Sequence, residues 1–580
     1  MADPRPRTPV LRRRPPVRTD GWGGAVHPVV ARVLAARGLD GPEAARLSLR
    51  GLLDPARLGG MDAAVDLLLQ ALDQGWHVRV VGDFDCDGAT GTAVAVRGLR
   101  RLGAAQVDFD VPHRMRHGYG LSPALVETWT PPLPQLVLTV DNGISSHAGV
   151  RAARARGMRV LVTDHHLPGA ELPEADAIVN PNLPGDGFPS KHLAGVGVVF
   201  YLLLALRARL RACGRLAAGA EPELADLLDL VALGTVADLV PLDRNNRILV
   251  AAGLARMRQG RLCPGLRALV EVSGRELARL GAADLGFALG PRINAAGRLE
   301  DMRLGIRCLL TEDPREAQEA ALCLNAINAE RRERQQAMLE DAEAALEAQD
   351  GRIVQGEVGV SLFSPDWHAG VVGLVASRMK ERLHRPVVAF APADEAGEGA
   401  WLRGSARSIE GFHLRDALAD VAAREPGLIE RFGGHAMAAG LTLQRERLPR
   451  FAEVFDACAR SRVDAAMLRA EVLSDGELGP GEIQRELAEA LIAAGPWGQG
   501  FPEPLFDGEF EVLDWRVVGE RHLQMTLRQP GHAQPLRAIE FGGWDGVPPP
   551  ARVLLAYQLG LDDFRDRRGV QMLVRHRWPA

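Results

Sequence analysis

The sequence predicts an α/β protein of several domains, and three observations predict it. Apolar, strand-like runs alternate with helix-periodic segments between about residues 77 and 180, the pattern of a mostly parallel sheet, and a second α/β pattern starts near residue 358. A long polar helical segment separates the two. Beyond Val463 the pattern changes to short alternating runs divided by turn residues, as in a small β-barrel or sandwich. At 580 residues the chain is too long for one core.

The elements follow in order. Met1 to Pro16 is rich in Arg and Pro without an apolar stretch, and reads as a disordered basic arm and not as a signal peptide. His27–Gly38 is helix-periodic, with Val29, Val30, Val33 and Leu34 on one side, and Gly51–Gly60 is turn-rich. Strands are expected at Val78–Val81, Val107–Val111, Leu136–Val140, Val160–Val162 and Ala177–Val179, with a helix from Thr90 to Leu102 after the first. Asp226–Leu233 reads as a buried helix or strand running into Asp238; the apolar run Leu230–Gly234 is strand-like. Gly290–Asn294 has loop chemistry. A polar helix begins near Thr311, with Pro314 in its first turn, and runs to about Ala348, as suits a bridge between domains. The second α/β unit has strands at Val358–Phe363, Val387–Phe390 and Leu402–Ala406, a helix from about His368 to Leu383, and closes around Arg431–Leu443. The last runs are Leu505–Phe510, Trp515–Val518, Leu523–Leu527, Leu536–Phe541, Ala551–Leu559 and Gln571–Arg575. The expected division is 1–50 (arm and helix), 51–305, 306–350 (connecting helix), 351–465 and 466–580.

Composition narrows the class. The formal charge of −5 argues against a uniformly basic nucleic-acid binder but leaves room for a local basic channel. Six scattered cysteines without a C-x-x-C pair argue against a zinc ribbon or a disulfide framework and for a reducing, cytoplasmic setting. No apolar run is long enough to span a bilayer.

The chemistry sits at the ends of the apolar runs: Asp83, Asp85 and Asp87 in Asp83–Gly88, Asp141 in Asp141-Asn142-Gly143, Asp164-His165-His166, and Asp238. In an open α/β sheet those ends share one edge, where ligands bind. So many carboxylates disfavour one another's ionisation, and divalent cations with oxygen and imidazole ligands resolve the conflict; Mn²⁺ or Mg²⁺ suits the set. The i, i+2, i+4 spacing puts Asp83, Asp85 and Asp87 on one face of an extended segment. His165 is the better ligand candidate, His166 faces the phosphate or supports the ligands from behind, and Asp164 fixes the local geometry. The whole reads as a two-metal phosphoester hydrolase, with two cations ~3.5–4 Å apart sharing Asp141. In the second unit, Gly433-Gly434-His435 offers backbone amides and an imidazole to an anion, and Ser405-Ala406-Arg407 a compact phosphate clamp. In the tail, Arg516, Arg521 and Arg528 are candidate backbone contacts.

Together these segments resemble the DHH phosphoesterase superfamily, and within it the RecJ exonuclease family. The motifs that carry the resemblance are Gly82–Gly88, Val140–Ser145, Thr163–His166, Gly234–Pro241, His368–Arg378, Gly404–Ile409 and Gly433–Gly440, with Gly495–Pro504 as the entry to a C-terminal OB domain. The resemblance implies a parallel-sheet DHH domain, a connecting helix, a DHHA1-like domain and an OB-like barrel. It implies 5′-to-3′ hydrolysis of single-stranded DNA, with Asp85, Asp87, Asp141, His165, Asp238 and, more weakly, Asp83 as ligands of two Mn²⁺ or Mg²⁺ ions. Asp141, Asp164 and His166 are the expected catalytic set. Arg114, Ser405, Arg407, His435, Gly434 and Arg378 are expected to hold the substrate. A single-strand-binding protein and a helicase are the expected partners of a monomeric enzyme in DNA repair and recombination. Two rivals are a DHH phosphodiesterase for small molecules or short oligonucleotides, and a non-catalytic DHH-derived scaffold that only binds DNA.

Overall fold

A computed structural model describes residues 9–580 apart from 115, 217–218, 220, 349–356, 394–399, 533 and 563–568. The boundary expected at 350–351 lies outside the described residues. The first unit is a five-stranded parallel sheet in the order Gln106–Asp110, His77–Val81, Leu136–Val140, Arg159–Thr163, Ala177–Val179. The chain runs from His77–Val81 to one neighbour and then returns to the other side, so the order reverses between His77–Val81 and Leu136–Val140. That reversal is the switch point at which such sheets bind ligands. The central strand Leu136–Val140 is buried throughout, as its unbroken apolar run requires.

The second unit is a mixed sheet in the order Arg431–Gly434, Ala438–Gln444, Trp401–Arg407, Val387–Pro392, Val360–Phe363, in which only the last pair is parallel. The polar helix spans Pro314–Ala348. Its first half packs Ala317, Ala321 and Leu324 into the core of the first unit, and Met338 and Ala342 join Val375 and Met379 in the second. The bridge is thus bolted at both ends. The last unit is a closed five-stranded barrel, in which two of the expected runs form one bulged strand, Phe506–Val518.

Four local expectations fail. Val10–Arg13, placed in a disordered arm, is a strand paired in parallel with Glu471–Ser474. The apolar run before Asp238 is a helix, Leu228–Ala237, buried over nearly its whole length. Gly290–Asn294 opens a helix, Gly290–Leu299, preceded by a single π-helical turn at Leu285–Leu289. The helix expected at Thr90 begins at Cys86, with Asp85 as its N-cap.

The barrel is not a free appendage. Val33 of the N-terminal helix, Leu249 of the first unit and Leu487, Phe501 and Phe510 of the tail share one continuous core. The Arg247 guanidinium lies 3.8 Å from the centroid of Phe501, and Leu242 N donates to Gln499 O at 2.7 Å. Arg13 reaches the buried Asp507, with Nη2 2.5 Å from Oδ2. Arg37 forks onto Asp475 at 2.8 and 2.9 Å, and both side chains are only 2 % exposed. Removing one partner of a fully buried pair strands the other charge, at a cost of about 3–5 kcal/mol. Arg14 Nε also lies 3.5 Å from Asp475 Oδ1, and Leu505 N donates to Asp475 Oδ2 at 3.0 Å, so Arg37→Met is expected to lower unfolding stability by less than that amount, and the double variant Arg37→Met/Asp475→Leu, which leaves Arg14 and the Leu505 amide without their acceptor, to recover little of it. Denaturant melts of the three proteins measure the difference.

Candidate metal centre and substrate cleft

The carboxylates are gathered by a turn and not by an extended strand, which corrects the one-face reading of Asp83, Asp85 and Asp87. Asp83 leaves the strand His77–Val81, Asp85 accepts from Gly88 N at 3.0 Å as N-cap, and Asp87 lies in the first helical turn. Both oxygens of Asp87 are used by the backbone, accepting from Gly195 N (2.6 Å) and Val196 N (3.0 Å) at the start of helix Gly195–Ala212. An anion at a helix N-terminus is favoured there by the unsatisfied amides. Packing is tight enough to require glycine. A Cβ on Gly195 would lie 2.4 Å from Asp141 Cβ, and one on Gly234 2.2 Å from Thr90 Oγ1.

Asp141 ends the central strand in a left-handed conformation, φ 61°. A non-glycine residue held there stores strain, which surrounding structure must enforce. Its amide donates to Thr163 O (3.1 Å), and the neighbouring Asn142 Nδ2 donates to Val81 O (3.0 Å) and Val140 O (2.9 Å), tying the strand ends together. Asp164 is an organiser: Oδ2 accepts from Ile144 N (2.9 Å), and Oδ1 accepts from the amides of His165 and His166 and lies 2.7 Å from His166 Nδ1. Asp238 sits at a helix C-terminus, not at a strand end.

Three overlapping groups have ligand atoms within 4.8 Å of one another: Asp87, His165 and Asp238; Asp83, Asp85 and Asp141; Asp141, His165 and His166. Asp141 and His165 each belong to two. His165 Nε2 lies 3.1 Å from Asp141 Oδ1 and 3.5 Å from Asp238 Oδ2. Yet these three atoms and Asp83 Oδ1 are buried without a hydrogen-bond partner. Buried polar atoms left without hydrogen-bond partners are costly, and four of them gathered in one cluster are what a site for cations provides. Among the described residues, all six expected ligands therefore fall in these groups.

The electrostatics agree. Burial, and then the neighbouring carboxylates, push Asp83 and Asp141 well above the usual carboxylate range, and push Asp87 and Asp238 up to about 7. Burial and the charge of His166 lower His165, favouring its neutral form. Burial opposes protonation of His166, but the bond to Asp164 overcomes it and raises His166 to about 9. A carboxylate whose folded pKa is raised stabilises the fold only while protonated. Without cations the protein should therefore lose stability as pH rises from about 4 through 7, and cations that take the place of those protons should stabilise it more at high pH. The rise in Tm on adding Mn²⁺ is expected to be larger at pH 8 than at pH 6, which thermal melts of chelated and reloaded protein measure. An equal rise at both would sink this account.

Across the cleft, Arg114 Nε donates to Gly297 O (3.1 Å) with its guanidinium 3.9 Å from the Phe84 ring centroid. On strand Trp401–Arg407, Arg407 donates to Ser405 Oγ and Ser377 Oγ, both at 3.1 Å. Gly434 turns the hairpin at φ 140°, and burial followed by the charges of His166, Arg415 and His165 holds His435 down, so this hairpin faces the histidine pair. Arg378 is different: it is exposed and paired with Glu381 at 3.1 Å.

Some residues escaped the sequence reading. Asn294 Oδ1 accepts from Cys86 N at 2.8 Å and pins the carboxylate loop. Tyr119 OH donates to Asp141 O at 3.1 Å. Arg298 is half-buried, donates to Gly370 O at 3.2 Å, and is pushed down to about 9 by loss of solvent around its guanidinium and by Arg114, Arg331 and Arg407. Guanidinium groups from both units thus converge. Asn294 and Arg298 lie on the helix read as a loop, so their common face was invisible in sequence.

This architecture matches known proteins. Family models match in three stretches: DHH family, N-terminal domain, at residues 77–235; DHHA1 domain at 355–461; RecJ OB domain at 474–576. The "Single-stranded-DNA-specific exonuclease RecJ" of Dickeya dadantii is 51% identical over 574 residues, covering 98% of this chain and 99% of that protein. Its Escherichia coli namesake is 48% identical over the same shares. The crystal structure of RecJ with Mn²⁺ from Thermus thermophilus superposes with a TM-score of 0.79 at 33% identity, covering 98% of this chain and 79% of that one. Its Mg²⁺ counterpart gives 0.75 at 31%, covering 98% and 78%. The chain belongs to the RecJ family of DHH-domain proteins.

Proposed function

We propose that the chain is a single-strand-specific exonuclease that hydrolyses DNA from its 5′ end with two Mn²⁺ or Mg²⁺ ions, in DNA repair and recombination. The observation that carries it is the set of four buried ligand atoms without hydrogen-bond partners on Asp83, Asp141, His165 and Asp238, beside a cluster of Arg114, Arg298, Arg331 and Arg407 that forms no ion pair among the described residues.

Asp83, Asp85, Asp87, Asp141, His165 and Asp238 would hold the ions. When bound, such ions supply positive charge to the attacked phosphate and acidify a water. The rest is done by the chain. Asp164 orients His166 and keeps a proton on it, so that a cation stands beside the scissile phosphate. Arg114, Ser405, Arg407, Gly434 and His435 seat the 5′ end, which sets polarity. Arg378 acts in this set only by releasing Glu381. Bases of a single strand pass where a duplex would be too wide. The domains on this reading are 1–50, 51–305, 306–350, 351–465 and 466–580. The enzyme works as a monomer in the cytoplasm, with a single-strand-binding protein and a helicase supplying its strands.

The test uses long single strands labelled at either end, with Mn²⁺, Mg²⁺ or chelator. Mononucleotides are expected to appear first from the 5′-labelled strand, and none with chelator. Release from the 3′ label first would overturn the polarity. Faster hydrolysis of a dinucleotide than of the long strand would favour a small-molecule phosphodiesterase.

A further inference from the structure

Phe287 is 82 % exposed, the most exposed large apolar side chain among the described residues. It sits in the π-helical turn Leu285–Leu289. Such turns are rare and are often found at functional sites. The turn packs on the last turn of helix Leu228–Ala237, since a Cβ on Gly286 would lie 3.3 Å from Val236 Cγ1 and one on Gly290 3.1 Å from Ala237 Cβ. That helix ends at Asp238, and the next residue, Leu239, is 64 % exposed at φ 63°. Two solvated apolar side chains therefore stand on the shoulder of the carboxylate cluster.

The surroundings are basic. Arg292 fastens the turn, Nη1 donating to Ala288 O at 2.6 Å, while Nε donates to Asn325 Oδ1 at 3.0 Å. Burial, then Arg332 and Arg275, press on its charge. Arg275 is paired with Asp284 at 3.3 Å, the nearest acid in the turn's own segment. Arg331 has a buried Nε without a partner. None of Arg292, Arg298, Arg331 and Arg332 forms an ion pair among the described residues. Helix Gly290–Leu299 links the two ends of this track: Arg298 lies in the cleft against Gly370, Arg292 two turns back, and Phe287 just beyond. Arg298 and Phe287 are eleven positions apart, roughly 16 Å along the axis. That is about five nucleotides at the ~3.4 Å spacing of a stacked strand, and fewer if extended.

We propose that Phe287 is a stacking platform for a base of the substrate strand a few nucleotides 3′ of the scissile end, with Arg292, Arg331 and Arg332 guiding the backbone between them. An aromatic face flanked by unpaired cations is the chemistry that holds single strands without regard to sequence. The inference rests on the exonuclease reading above.

The test compares wild type, Phe287→Ala and Phe287→Trp on 5′-phosphorylated oligo-dT of three and twelve nucleotides. Loss of one stacked base costs about 5- to 150-fold in binding. Phe287→Ala is expected to raise KM for the 12-mer by at least about fivefold with kcat little changed, to leave the 3-mer kinetics and Tm unaltered, and Phe287→Trp to restore the 12-mer KM. An unchanged KM on the 12-mer overturns the inference, as does an equal loss on both lengths or a lowered Tm, which would make the residue structural. A wild type that cleaves neither strand overturns the exonuclease reading itself, and this inference with it.

Discussion

Asp141→Asn is expected to abolish hydrolysis while leaving single-strand binding largely intact and raising the stability of the metal-free protein. The three effects share one cause. Asp141 belongs to two of the three potential ligand groups, so its loss disturbs both halves of the centre. Removing even an outer partner of a metal ligand costs ~10–100-fold in affinity or activity, and a shared ligand should cost more. Arg114, Ser405 and Arg407, proposed to seat the 5′ end, lie elsewhere and would still hold the strand. In the chelated protein, Asp141 is a buried carboxyl crowded by Asp87, Asp85, Asp238 and Asp83, so a neutral amide relieves the crowding. Asn is the right probe because it tolerates φ 61° far better than Ala. Single-turnover assays in saturating Mn²⁺, filter binding and thermal melts with chelator read the three outcomes. Near-normal turnover would remove Asp141 from the centre, and a fall in metal-free Tm would show that its charge is not a burden.

Arg407→Ala should cost about 10- to 150-fold on 5′-phosphorylated strands, the range for losing a hydrogen bond to a charged group, and much less on 5′-hydroxyl strands. Arg407 is half-buried and, among the described residues, bonded only to hydroxyls and a carbonyl, Ser405, Ser377 and Ala406, with no carboxylate partner. Its charge is left for an incoming anion, and burial already lowers its pKa. Gly373 keeps the approach open, since a Cβ there would lie 3.0 Å from Arg407 Nη2. The measurement is kcat/KM on matched strands with and without the 5′ phosphate. Equal losses on both would make Arg407 a support for the sheet and not the seat of the 5′ end.

The barrel bears on how tail variants are read. Arg528 and Arg516, candidates for DNA contact, are bonded to Glu511 and Gln524. A truncation near residue 465 would remove Phe501 from Arg247 and Asp475 from Arg37, as well as any DNA groove. Lost affinity in such a protein would mix recognition with damage to the core.

The sequence by itself determined the alternating strands of the first sheet, the bridging helix to within a few residues, the barrel strands, and that Asp83, Asp141 and the Asp164–His166 run follow strands that share one edge. These are legible because strand and helix periods are local, and because strand order in a parallel sheet fixes which ends meet. It did not determine whether Leu228–Ala237 was helix or strand, since a run buried on every side has no period to read. Nor did it show that Asn294 holds the loop at Cys86, 208 positions away, that Arg298 is drawn into the cleft, or that Val10–Arg13 pairs with Glu471–Ser474. Only the tertiary structure decided these, because hydrogen bonds and burial between distant segments leave no trace in the residues beside them, and a polar side chain's role depends on what it faces once water has been removed.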